Sequence, residues 1–209
     1  MKKRIRRRTK RRLILFSLLA VCTAIGVTVC VLGAPHWRAA KRVETLKTAA
    51  VPAWVQAAYI DEGGARSGHA LADFTGVVVH YVGNPGTTAM GNRNYFNQPT
   101  TEVVSHFVIG LDGEVVQCLP LHERSVASNS RNRDTVSIEV CHPDESGVFN
   151  DATYASLVRL TAWLCELGEL DTAAVIRHYD VTGKECPLYY VRNPEAWQAF
   201  LSAVENARN

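Results

Sequence analysis

The chain has 209 residues, 47% hydrophobic and 21% charged, enough for one domain with a sizeable core plus an appendage. Its net charge of +3 is segregated: residues 1–12 carry nine Lys or Arg and no acid, whereas residues from 48 onward carry 10 basic and 19 acidic side chains. A main domain with that acidic excess has no electrostatic support for binding nucleic acid.

In chain order, the basic run "MKKRIRRRTKRR" precedes "LILFSLLAVCTAIGVTVCVL", Leu13 to Leu32, 20 residues without a charge. That length crosses the hydrocarbon core of a bilayer as a helix, and the positive flank stays on the cytoplasmic side. The expectation is a cytoplasmic tail (1–12), a transmembrane anchor (13–32), a stalk (33–50) and an extracellular domain (51–209). A secreted form after signal cleavage is the alternative, with "VLGA" before Pro35 as the cleavage region; against it, the apolar run exceeds the ~7–15 residues usual in a signal peptide.

Within the domain, "GVVVHY" (76–81) reads as a buried strand ending at a histidine. Thr87 is placed to cap a helix running to Phe96. Residues 102–120 read as a hairpin turning at Asp112-Gly113. "DTVSIEVC" (134–141) is a further strand. Residues 150–168 form a helix capped by Asn150 or Asp151, with Tyr154, Leu157, Leu160, Trp163 and Leu164 at helical spacing and Gly168 at its end. "AAVIRHY" (173–179) returns as a strand, and residues 193–207 close the chain as a helix with Pro194 in its first turn. Interleaved strands and helices with one hairpin predict an α/β (α+β) fold, a central mixed β-sheet flanked by helices, with the N-terminal transmembrane helix beside it.

Chemistry concentrates in "IRHYDVTGKECP" (176–187). The turn-rich run between His178 and Cys186 allows both side chains to meet one ion; the alternative is a surface loop that happens to contain a thiol. Zinc takes such nitrogen and sulfur ligands, three from the protein in a catalytic site. His80, at a strand end, and His106, in "VVSHFVI", both qualify as the third ligand, and the pattern alone does not choose between them. Asp180 suits a turn or a partner that orients His178. Of the six cysteines, Cys22 and Cys30 fall in the apolar run. A metal-bound Cys186 leaves Cys118, Cys141 and Cys165, an odd number that argues against a disulfide framework and leaves one bridge unassigned.

Four segments, "VVVHYVGNPGTTAMGNRNYF", "VVSHFVIGLDGEVVQCLPLHE", "DTVSIEVCHPDESGVFND" and "VIRHYDVTGKECP", resemble the zinc-dependent N-acetylmuramoyl-L-alanine amidases of the type-2 amidase family. The resemblance covers about residues 70 to 200 and leaves the first 50 outside it. It implies one Zn2+ held by His80, His178 and Cys186. It implies Glu139 of "SIEV" as the catalytic base and Lys184 as the group that stabilises the oxyanion. A tyrosine that some members use falls on Ser105 here, which leaves the base role to Glu139. His106 matches a position implied to contact substrate or support the site. The implied activity is hydrolysis of the amide joining N-acetylmuramic acid to L-alanine in peptidoglycan, by a domain expected to be monomeric. The alternatives are a non-catalytic peptidoglycan-binding module, whose relatives typically lack the third ligand, and another zinc peptidase. The absence of HExxH removes one common class of the latter.

Overall fold

The computed structural model of the chain describes residues 37–208 and divides it into two units, Met1–Ala40 and Lys41–Asn209. Of the first unit, residues 37–40 are described, and they are helical. The expected tail (1–12) and anchor (13–32) lie outside the described residues. Among the described residues no helix is long and apolar enough to cross a membrane. The second unit starts ahead of the boundary expected at Val51. Residues 41–48 are a helix, α1, where a stalk was expected. Leu46 on this helix is buried in the main core, and Arg42 grips Asp73 with Nε and Nη2 at 2.8 and 2.7 Å.

Six strands form one mixed sheet: β1 (Val55–Ala57), β2 (Gly76–Val79), β3 (Phe107–Ile109), β4 (Val115–Gln117), β5 (Thr135–Val140) and β6 (Val175–Arg177). Their order across the sheet is β1-β4-β3-β5-β2-β6. Strands β3, β5, β2 and β6 run parallel, β3 and β4 form the antiparallel hairpin, and β1 pairs parallel with β4. The central strands are runs of β-branched residues, and β2 is buried along its whole length, as befits a parallel strand covered on both faces.

The two-residue period of a strand separates the faces. Val77, Val79, Phe107, Ile109, Val136, Ile138 and Val140 join one core cluster with Leu157, Leu160 and Leu164 of α3 (Asp151–Gly168) and with Trp197, Phe200 and Val204 of α6 (Pro194–Asn206). Val108, Val116 and Cys141 fall in a second, smaller cluster with Ala89 and Phe96 of α2 (Ala89–Phe96). Two helices of 18 and 13 residues cover the first face, whereas α2 has only 8. The second face is therefore the one left open to a cleft.

Several local expectations shift by a residue or two. Thr88, one residue after the expected Thr87, caps α2 by accepting from the Gly91 N–H at 3.0 Å. Asn150 caps α3 through the Thr153 N–H at 2.9 Å. The left-handed residue after α3 is Glu169, at φ 51, and Gly168 is helical. A Cβ on Gly168 would sit 2.5 Å from the Phe74 ring, so the glycine is there for close packing and not for its backbone freedom. Strand β1 and the short helices α4 (His178–Thr182) and α5 (Leu188–Arg192) were not anticipated. The four described cysteines are all free and buried, so none of Cys118, Cys141 and Cys165 is bridged.

Candidate metal centre and active site

Register assembles the site. Val79 of β2 pairs with Ile138 of β5 on one side and with Arg177 of β6 on the other. The next residue along each strand is therefore His80, Glu139 and His178, and the strand period turns all three to the open face. The His80 N–H donates to the Ile138 carbonyl at 2.8 Å, carrying the ladder one residue past β2. Strand β6 stops at Arg177, shorter than the expected 173–179. His178 instead opens α4, held by Asp180, which accepts the Arg177 N–H at 2.8 Å and its guanidinium at 2.7 Å. Asp180 therefore braces the strand-to-helix turn and does not orient His178.

Helix α4 ends at Gly183, at φ 78, where the chain reverses. The Tyr179 N–H then bonds the Cys186 carbonyl at 2.9 Å and closes the loop. That closure returns the thiol to the histidines. One ligating atom each from His80, His178 and Cys186 lies within 4.8 Å of the other two, and all three residues are buried. Cys186 Sγ is 3.9 Å from His80 Nδ1, and the two imidazole centroids are 4.6 Å apart. The cluster could hold a metal ion, and the donor set fits one. His178 Nδ1 is buried with no hydrogen-bond partner among the described residues, while its Nε2 is engaged with the side-chain oxygen of Asn129 at 2.8 Å. Two neutral imidazoles and a thiol are the soft and borderline donors that suit zinc.

Electrostatics keep this cluster ready for a cation. Burial, then His178 and Lys184, hold the His80 ring well below its usual range, and burial with Lys184 lowers His178. Both rings are thus neutral, with lone pairs to give. Burial, reinforced by Glu139, pushes the Cys186 thiol up to about 12, so the thiol keeps its proton at neutral pH until a competing cation displaces it. Glu139 Oε1 lies 4.0 Å from His80 Nδ1, and its Oε2 is buried without a partner. Burial raises the Glu139 carboxyl to about 8, against the pull of Lys184. All of these groups, Lys184 included, line an open cleft of about 990 Å³ bounded by Tyr95, Phe96, Val103, Val104 and Val126.

His106 does not join them. It is fully buried and does not line the cleft. Its Nδ1 accepts the Ser137 N–H at 3.1 Å, and its Nε2 donates to the Glu123 carbonyl at 2.8 Å. The ring extends the β3–β5 ladder ahead of the start of β3, and no ring nitrogen is left to contact a substrate. Ser105, at the position of the missing tyrosine, bonds the Ser137 carbonyl at 2.9 Å. Two residues of the site were missed altogether: Ser128 and Asn129, which bond His80 and His178. Their only signal was a polar run, "SNSRNR", that reads as a loop.

The mixed α/β sheet thus gathers two histidines, a cysteine and a half-buried glutamate in one cleft, a donor set that could hold a metal ion beside an acid–base group. The chain belongs to the N-acetylmuramoyl-L-alanine amidase family (Amidase_2), whose profile matches residues 70–188. A probable N-acetylmuramoyl-L-alanine amidase of Bacillus licheniformis is 30% identical over 157 residues, 68% of this chain and 44% of that protein. The amidase CwlL of the same species is 28% identical over 158 residues, 68% of this chain and 43% of its own length. The chain thus spans less than half the length of these curated relatives. Among solved structures, the catalytic domain of XlyA is similar with a TM-score of 0.63 at 26% identity, over 72% of this chain and 98% of that one. PlyL shares the fold, with a TM-score of 0.64 at 20% identity over 72% of this chain and 96% of its own.

Proposed function

We propose that this chain is a zinc-dependent amidase that hydrolyses the bond between N-acetylmuramic acid and L-alanine in peptidoglycan. The observation that carries the reading is the convergence of His80, His178 and Cys186 beside a half-buried Glu139, its Oε2 buried and unpaired, on the open face of the sheet. His80, His178 and Cys186 would hold the ion. Zinc, when bound, supplies Lewis acidity that polarises an amide carbonyl and makes water a stronger acid.

The protein's own groups complete the chemistry. Glu139 is the base: it takes a proton from the attacking water and returns it to the leaving nitrogen. Its burial keeps the carboxyl basic enough for both transfers. Lys184, on the same cleft, stabilises the negative charge that develops on the carbonyl oxygen. A binding-only module would have no use for a third metal ligand, and Cys186 is in place.

The uncharged run Leu13–Leu32 supports tethering at the cell membrane, N-terminus cytoplasmic and catalytic domain outside, since the acidic domain would not adhere to a negatively charged wall. Digestion of purified muropeptides by the full-length chain, with products read by mass spectrometry, tests the activity. Stem peptides with a free L-alanine amine are expected. Cleavage at a glycosidic bond, or between two amino acids, would overturn the assignment. Release of the chain from membranes by salt alone would remove the tether.

A further inference from the structure

The loop between the Val104–Val126 bridge and β5 lines the cleft and touches both histidines of the cluster at Nε2. His80 Nε2 lies 3.0 Å from Ser128 Oγ, and His178 Nε2 lies 2.8 Å from Asn129 Oδ1. These are neighbouring residues in one short loop. An amide oxygen only accepts, so the His178 Nε2 must carry the ring proton and its lone pair must sit on Nδ1, the atom buried without a partner. The opposite tautomer would bury an unpaired N–H, which is costly. Ser128 can accept from His80 Nε2 in the same way, leaving the His80 lone pair on Nδ1, the atom 3.9 Å from Cys186 Sγ.

The loop is built to hold this position. Asn132 Oδ1 accepts the backbone N–H of Ala127 at 3.0 Å and of Ser128 at 2.6 Å, fastening the loop to itself. The Arg131 guanidinium bonds Asp134 and Thr75, and the Arg131 carbonyl accepts the Thr135 hydroxyl at 2.6 Å, fixing the loop to β5 and to the residue before β2. Ser128 is fully buried. Asn129 has φ 51, a left-handed conformation that most side chains avoid and that Asn and Asp tolerate best. The position thus combines a left-handed backbone with a side-chain acceptor, a pair of demands that Asn or Asp can meet and Gly or Gln cannot.

We propose that Ser128 and Asn129 are positioning residues: Asn129 sets the tautomer of His178 and leaves its Nδ1 lone pair free, and Ser128 holds the His80 ring by Nε2 with Nδ1 toward Cys186, before any metal arrives. This rests on the metal reading of the site and adds to it the group that prepares the ligands. Partners of this kind typically contribute 10–100-fold to metal affinity.

The test uses three variants of the full-length chain and zinc competed against a chromogenic chelator. Asn129→Gly keeps the backbone conformation and removes the acceptor; zinc affinity should fall about 10–100-fold. Asn129→Asp keeps both and should bind at least as tightly as the parent. Ser128→Ala should weaken binding through His80. Imidazole 15N–1H spectra of the metal-free protein give the second readout: His178 protonated on Nε2 in the parent and in Asn129→Asp, and mixed in Asn129→Gly. Equal zinc affinity in all three variants would overturn the proposal, as would a His178 tautomer that ignores Asn129→Gly. A parent chain that binds no zinc would instead overturn the metal reading beneath it, while the spectra would still decide whether the loop sets the tautomer.

Discussion

His80 and His106 both flank a strand, both lie against β5, and both are buried. At the start of β3, both nitrogens of His106 are consumed by backbone groups of Ser137 and Glu123. At the end of β2, His80 has one nitrogen on Ser128, and the other faces two side chains of the cleft, the Cys186 thiol at 3.9 Å and the Glu139 carboxyl at 4.0 Å. The same contrast separates His106 from the cleft, where His178 Nδ1 and Glu139 Oε2 are both left unpaired. Burial and residue type do not mark a site, and neither do isolated unpaired atoms such as Gln117 Oε1 or Thr161 Oγ1; ligating atoms that converge on one point do.

The largest effects belong to the unpaired region. Cys186→Ser should remove zinc, measured as metal per protein against about one equivalent in the parent, and abolish amidase turnover with the fold retained by circular dichroism. A variant that still binds zinc and cleaves would erase the distinction between the two regions. Glu139→Gln should keep zinc and lower the rate by about 10²–10⁴-fold; loss of the metal would mean that Glu139 supports the ligands instead of moving protons. Lys184→Met should cost roughly 10²–10³-fold in kcat, and an unchanged rate would reduce Lys184 to a solvated surface charge.

The two regions also differ in how they could be read before the structure. "GVVV" and "TVSIEV" announced their strands, and Asp112-Gly113 its turn, because those signals are local. Strand β1 is three residues with a single buried side chain, too short to carry a pattern. Helix α1 hid its one core residue, Leu46, among charges. The site depends on register, and no local pattern states that Val79 opposes both Ile138 and Arg177. From the residues alone His80 and His106 could not be separated; the family resemblance chose His80 as a ligand and misplaced His106 toward the substrate. Asn129 was invisible for the opposite reason: its role follows from a left-handed backbone and a partner 49 positions away.

The smallest predicted effect compares the regions by their protons, in protein stripped of metal. Burial raises Glu139 to about 8, so the folded chain keeps a proton that the unfolded chain releases near 4.5. Its contribution to stability is intact below pH 4.5 and is lost as pH rises through about 8. Burial drives His106 the other way, to about 4, so the folded chain refuses a proton that the unfolded chain takes near 6.5. Its contribution is intact above pH 6.5 and is lost as pH falls through about 4. Urea unfolding of Glu139→Gln and His106→Gln against the parent separates the two. The parent should weaken relative to Glu139→Gln from pH 5 to 8, and relative to His106→Gln from pH 6.5 to 4. Each drift should be on the order of 1–3 kcal/mol. Lost hydrogen bonds in either variant shift the whole curve without changing its slope, so the slope isolates the titration. A flat His106→Gln difference would mean that the ring is not held neutral by its two backbone partners. The closed region would then be no better paired than the open one.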